Sequence, residues 1–188
     1  MTHPVATTLP FLKRAMRRIY DAQALDRPAA VMAGAADAAL HSATVDSALR
    51  GEWLGHALHP LLTDLPLGAW TSVSLLDVFG GRRARPAATG LLAFGIATAL
   101  PTALSGLAEW RRTTGATRRA GVAHAIANST ALALYTFSLV ARLRGGHRVG
   151  TLLAIAGGVA ATAGGYLGGH LSIALKVGTA DPSTAPAG

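Results

Sequence analysis

Long apolar stretches separated by short polar segments dominate the chain from about residue 53 onward. Each stretch reaches the roughly 20 residues that a helix needs to cross the hydrocarbon core of a bilayer. No such stretch precedes them, because polar residues recur too often there. The pattern predicts four transmembrane helices, at approximately 60–79, 87–109, 121–142 and 149–175.

These elements predict an all-α fold, an integral membrane four-helix bundle preceded by amphipathic surface helices. The predicted parts are an N-terminal helical segment (1–52), the four-transmembrane-helix domain (53–178) and a disordered tail (179–188). Pro66 and Pro101 lie inside the first and second spans, where a proline bends a helix and opens space between helices. In the fourth span a stripe of small residues predicts close helix packing: Gly157, Ala161, Gly165 and Gly169.

One short helix of the N-terminal segment is predicted from residues 9–20. Apolar residues recur there at helical spacing, and four basic residues occupy the other side. Two interpretations fit this pattern. The helix either lies on an anionic lipid leaflet or packs on the cytoplasmic end of the protein itself.

Composition supports the membrane assignment and narrows the chemistry. Hydrophobic residues make up 51% of the 188, and the mean hydropathy is +0.37. The net charge of +8 comes from basic residues spread between the spans, a distribution typical of lipid head-group contacts and not of a nucleic-acid-binding face. Cysteine is absent, so any metal must be held by His, Asp, Glu or Met.

The basic residues of the short loops divide evenly between the two sides of the predicted bundle. The positive-inside rule therefore gives no orientation from these loops alone. Adding the basic residues of the N-terminal segment favours a multi-pass protein with both termini in the cytoplasm.

Four of the seven histidines are predicted to lie at one membrane face. His56 and His59 stand at the entry of the first span, His124 lies a turn inside the third, and His170 lies near the end of the fourth. Because spans alternate in direction, the first and third begin on the side where the second and fourth end. Glu109 reaches the same level, with Asp64 and Asn128 one turn deeper.

Ionisable groups at this depth are costly in lipid, so they tend to be paired or functional. The leading interpretation is a haem-binding or redox-linked membrane subunit, since helical bundles hold haem between side chains on facing helices. The preferred axial ligands are His124 and His170, with His59 as the substitute. Asn128 and Asp64 would fix the imidazole tautomers by hydrogen bonds.

Two alternatives remain open at this stage. The same region offers a donor set for a divalent metal ion, and a structural subunit without ligand would use it as a polar network between helices. No G-x-S-x-G elbow, Walker loop or dinucleotide loop supports an enzyme of those kinds. The candidate metal ligands are His56, His59, Glu109, His124 and His170.

Several motifs together resemble a bacterial membrane family, the domain of unknown function 2231. The resemblance covers residues 53–178. It is carried by GEWLGHALHPLLTDLPLGAW with Asp77 after it, Glu109-Trp110, HAIAN at 124–128 and GGYLGGHLSIALKVG at 164–178.

The resemblance implies a four-helix protein of the bacterial inner (cytoplasmic) membrane. Some members of that family carry a Rieske-type iron–sulfur domain after the fourth helix, which implies electron transfer. Because this chain has no cysteine, an iron–sulfur or other electron carrier would be a separate protein.

Overall fold

The computed structural model describes residues 9–178, and this part of the chain is helical with no β-strand. The predicted tail therefore lies outside the described residues. Short 3-10 turns join several of the helices, and one turn of π-helix, His170–Ala174, follows the last. The helices are α1 (Pro10–Asp21), α2 (Asp26–Ala39), α3 (Ala43–Arg50), α4 (Leu58–Phe79), α5 (Arg85–Trp110), α6 (Gly115–Leu143) and α7 (His147–Gly169).

Helices α4–α7 form two antiparallel hairpins, α4 with α5 and α6 with α7. The hairpins face each other, with α5 beside α6 and α7 beside α4. A buried apolar cluster fills the middle of the bundle and includes residues from all four helices. Its members are Trp70, Val73, Leu92, Ala131, Tyr135, Ala154 and Ala161.

Three helical segments of the described chain are long and apolar enough to cross a membrane. They are Arg82–Trp110, Gly115–Leu143 and His147–Ala174. These correspond to the second, third and fourth predicted spans. Helix α4 has 22 residues but is not among them, since Asp64 and Asp77 lower its hydropathy.

Glycines of α7 accept the large side chains of α6. A Cβ atom at Gly150 would lie 2.6 Å from Arg142, one at Gly157 would lie 3.2 Å from Tyr135, and Gly164 and Gly168 face Asn128 and His124. The close contact predicted for α7 is therefore present. It includes Gly157 of the predicted stripe and continues through Gly164 and Gly168. Of the predicted positions, Gly165 and Gly169 face open space because helix rotation places their neighbours Gly164 and Gly168 at the interface.

Helices α1–α3 cap the end of the bundle where α4 and α6 begin. Met16 of α1 is buried against Ala120, Leu167 and Leu171, so the apolar side of α1 packs on the protein. Of the two sequence interpretations, this contact matches packing on the protein itself. The basic side chains of α1 are exposed: Lys13, Arg14, Arg17 and Arg18.

Two arginines where α5 ends and α6 begins hold this cap in place: Arg111 directly follows α5, and Arg119 lies in the second turn of α6. Arg119 forms a bidentate ion pair with Asp26, at 2.6 and 2.7 Å, and donates to the Tyr20 carbonyl. Arg111 pairs with Asp37 at 2.8 Å. Hydrogen bonding to Arg119 lowers the pKa of Asp26 below its usual value. Two arginines at this end of the bundle therefore bind protein carboxylates.

Candidate functional site

A cavity of about 420 Å3 lies between the two hairpins, at the end that α1–α3 cap. It extends from Trp70 in the middle of the bundle to Glu109 and Gly178 beside the cap. Most of its lining is apolar or glycine, and its polar groups include His59, His124, Asn128 and Thr102. A concave, mainly apolar space with a few converging polar groups is the usual form of a ligand site.

His59 lies on the first turn of α4 and crosses to α5. Its Nδ1 is 2.8 Å from the carbonyl oxygen of Thr102. Since a carbonyl only accepts, Nδ1 carries the proton and Nε2 keeps its lone pair. The imidazole fits because the facing residue of α5 is Gly106, where a Cβ would lie 2.7 Å from the ring.

Pro66 contributes to the same part of the wall. It has no N–H, so the carbonyl of Leu62 loses its intrahelical donor. The hydroxyl of Thr102 shares its one proton between this carbonyl, at 3.2 Å, and the carbonyl of Thr98 on its own helix, at 2.8 Å. Thr102 therefore binds α4 twice, through its side chain to Leu62 and through its own carbonyl to His59.

His124 on α6 repeats this arrangement towards α7. Its Nδ1 donates to the carbonyl of Gly164 at 2.9 Å, and a Cβ at Gly168 would lie 2.8 Å from the ring. The amide nitrogen of Asn128 is 3.0 Å from Nε2 and 3.2 Å from Nδ1. Being almost equidistant from the two nitrogens, this amide lies against the ring and not on the in-plane lone pair of Nε2.

The two imidazoles face each other across the cavity. Their ring centres are 6.3 Å apart and their planes are nearly perpendicular, at 84°. With a metal–nitrogen bond of about 2.0–2.1 Å and the ring nitrogen about 1 Å from the ring centre, two imidazoles on opposite sides of one ion have centres roughly 6 Å apart. At a tetrahedral angle the same bonds would bring the centres to about 5 Å. The observed separation of the ring centres is close to the first of these two values.

A third metal ligand is lacking at this pair. In the part of the chain that the structure describes, no group of three or more His, Asp or Glu residues could hold an ion.

Trp70 lines the deep end of the cavity, and Tyr135 packs against it. Their rings stack with centres 4.2 Å apart, and both side chains are buried. Gly95 lies against the Trp70 indole and Gly157 against the Tyr135 ring. Two large aromatic rings thus separate the cavity from the rest of the bundle.

The other predicted site residues lie apart from the pair. His170 hydrogen-bonds to Tyr20 of α1, with its ring 6.4 Å from that of Tyr166. His56 is exposed and bonds to the neighbouring backbone, and Asp64 is exposed on α4. Glu109 lines the cavity near its outer end. The structure brings together His59, His124 and Asn128.

Sequence reasoning missed an ion pair at the opposite end of the bundle. Arg142 donates to Asp77 through both terminal nitrogens, one of them at 2.8 Å, and both side chains are buried. Arg142 also donates to the Ser138 hydroxyl, which in turn donates to the carbonyl of Gly150. The sequence signal was present, since Arg142 falls within the third predicted span, where a charge requires a partner.

The fold and the cavity define a class: a helical membrane protein with a histidine pair inside its bundle. The chain belongs to the family described as predicted membrane protein (DUF2231), whose model matches residues 55–181. This confirms the resemblance drawn from the motifs. No curated protein and no solved structure matches the chain.

Proposed function

We propose that this protein binds one b-type haem in the cavity, with Nε2 of His59 and Nε2 of His124 as its two axial ligands. The observation that carries the proposal is the 6.3 Å separation of two imidazoles whose Nδ1 protons are both held by carbonyls of neighbouring helices. Hydrogen bonds of this kind orient histidine ligands and fix the tautomer that a metal needs.

The residues around the pair suit a flat apolar group. Gly106 and Gly168 provide room for the imidazoles, and Gly165 leaves the cavity wall open beside them. Trp70 with Tyr135 would exclude water from the inner edge of the group. Bound haem would supply one-electron transfer. The protein would hold the imidazoles in a single tautomer, in a space of low polarity.

The proposal includes a topology in which α4 also spans the membrane. Large apolar side chains of α4 are exposed and would contact lipid: Leu61, Leu65, Leu75, Val78 and Phe79. Both termini would be cytoplasmic, as the basic N-terminal segment suggests. A soluble electron carrier, iron–sulfur or other, would then approach the haem at the end capped by α1–α3.

The test is the reduced-minus-oxidised visible spectrum of protein purified in mild detergent from haem-replete cells. We expect a sharp α-band that is lost in His59→Ala and in His124→Ala. Two matched controls, His56→Ala and His170→Ala, remove histidines at the same end of the bundle and should keep the band. Loss in His170→Ala with retention in His59→Ala would restore the pair preferred from the sequence.

A featureless spectrum would overturn the proposal. Elemental analysis of the same sample would then separate the two alternatives. A stoichiometric divalent ion that is lost in His59→Ala would support a metal-binding protein, and its absence would support a structural subunit without ligand.

A further inference from the structure

Three pairs of side chains meet across the two hairpins at three depths of the bundle. They are His59 with His124, Trp70 with Tyr135, and Asp77 with Arg142. In each pair the residue of α6 follows the residue of α4 by 65 positions. A constant offset at three depths means that α4 and α6 contribute equivalent positions to the bundle axis.

The second helix of each hairpin repeats in the same way. His59 donates to the carbonyl of Thr102 and faces Gly106 one turn later, and His124 donates to Gly164 and faces Gly168 one turn later. In the second helices the offset is about 62 positions: it separates Gly164 from Thr102 and Gly168 from Gly106. The glycines that contact the two aromatic rings, Gly95 and Gly157, show the same offset.

Smaller details follow the repeat. Thr63 donates to the carbonyl of His59, four residues before it, and Asn128 donates to the carbonyl of His124 in the same way. Each first helix is followed by a glycine pair at the same offset of 65 residues, at 80–81 and 145–146.

We infer that the bundle is a tandem repeat of one helical hairpin, related by a pseudo-twofold axis along the bundle, and that the histidine pair lies on this axis. If the proposed function holds, a haem on this axis would be held by two equivalent imidazoles, those of His59 and His124.

The Asp77–Arg142 pair breaks the symmetry, and this gives it a role in assembly. If two copies of one hairpin paired with each other, Asp77 would face Asp77 or Arg142 would face Arg142. Like charges buried without a partner are strongly unfavourable. The ion pair therefore selects the pairing of unlike hairpins, so that the histidine site forms within a single chain.

Exchange of the two charges tests the inference, because the repeat identifies which further residue must change. Arg142 fits over Gly150, and the equivalent residue of the first hairpin is Ala88, which is buried. Asp77→Arg and Arg142→Asp alone should each lower the Tm in detergent by about 10 °C or more. The exchanged double variant should recover part of this loss, and adding Ala88→Gly should recover most of it.

Ala87→Gly, at the exposed neighbouring position, is the matched control and should add no recovery. Equal Tm values for the two triple variants would overturn the repeat.

Co-expression tests the role of the ion pair in assembly, including the case in which the single variants do not accumulate when expressed alone. Differently tagged Asp77→Arg and Arg142→Asp chains should co-purify through complementary hairpins, whereas wild-type chains should not. Absence of co-purification would overturn the role in assembly.

Neither readout uses haem, so each result is independent of the spectroscopic test. A protein without an α-band could still show recovery with Ala88→Gly. A cytochrome spectrum could equally accompany failure of the charge exchange.

Discussion

The hydroxyl of Thr102, which also donates to the Thr98 carbonyl of its own helix, donates over 3.2 Å to the carbonyl of Leu62, the group that Pro66 deprives of its helical donor. The bond joins α5 to the bend in α4 directly beside His59. It explains how a proline can lie inside this helix without leaving a carbonyl unsatisfied in an apolar environment. The neighbouring carbonyl of Thr102 then accepts the Nδ1 proton of His59.

This relationship predicts coupling between positions 66 and 102. Thr102→Val leaves the Leu62 carbonyl without a donor and should lower the free energy of unfolding by about 1–3 kcal/mol. In a Pro66→Ala background residue 66 supplies an N–H to the same carbonyl, so Thr102→Val should cost less. The measurement is a double-mutant cycle on detergent unfolding. Additive losses would contradict the assignment of this bond.

Adjacent glycines of α7 should respond to alanine with opposite signs. At Gly164 a Cβ would collide with Asn128, whereas at Gly165 nothing lies within 4 Å. Gly164→Ala should therefore destabilise the protein by about 1–3 kcal/mol through overpacking. Gly165→Ala should be neutral or stabilise by up to about 1 kcal/mol through helix propensity. Unfolding in detergent measures both, and equal losses would contradict the α6–α7 contact.

How far the sequence could predict these features differs between the helices and the site. Apolar stretches and their lengths predicted the all-helical fold, because hydropathy depends on composition alone. Composition does not show how a helix is rotated about its own axis. The predicted small-residue stripe on α7 therefore included Gly165 and Gly169, whereas Gly164 and Gly168 contact α6. The same limit applies to the histidines. The order of the spans places four histidines at one end of the bundle. Which of them meet depends on the direction of each side chain, and the structure pairs His59 with His124 and His170 with Tyr20.

Asp77 and Asp64 provide a matched comparison on one helix. Asp77 is buried with Arg142, whereas Asp64 is exposed and has no ion pair in the described structure. Asp77→Asn should lower the free energy of unfolding by about 3–5 kcal/mol, since it leaves a buried guanidinium without its counter-ion. Asp64→Asn should change it by less than about 1 kcal/mol. Similar losses in the two variants, measured by unfolding in detergent, would count against a structural role for the ion pair.

Docking of the cap should depend on pH through Asp26. The hydrogen bonds from Arg119 lower the pKa of this carboxyl in the folded protein, so the carboxylate favours docking. The contribution is fully present above the ordinary pKa of an aspartate and is lost as the pH falls through the lowered one. Hydrogen exchange of α1 and α2, followed between about pH 6 and pH 3 and corrected for the intrinsic pH dependence of exchange, should show the cap opening on acidification. Asp26→Asn should open it already at pH 6 and remove most of the pH dependence. An unchanged acid response in that variant would contradict the role of Asp26 in docking.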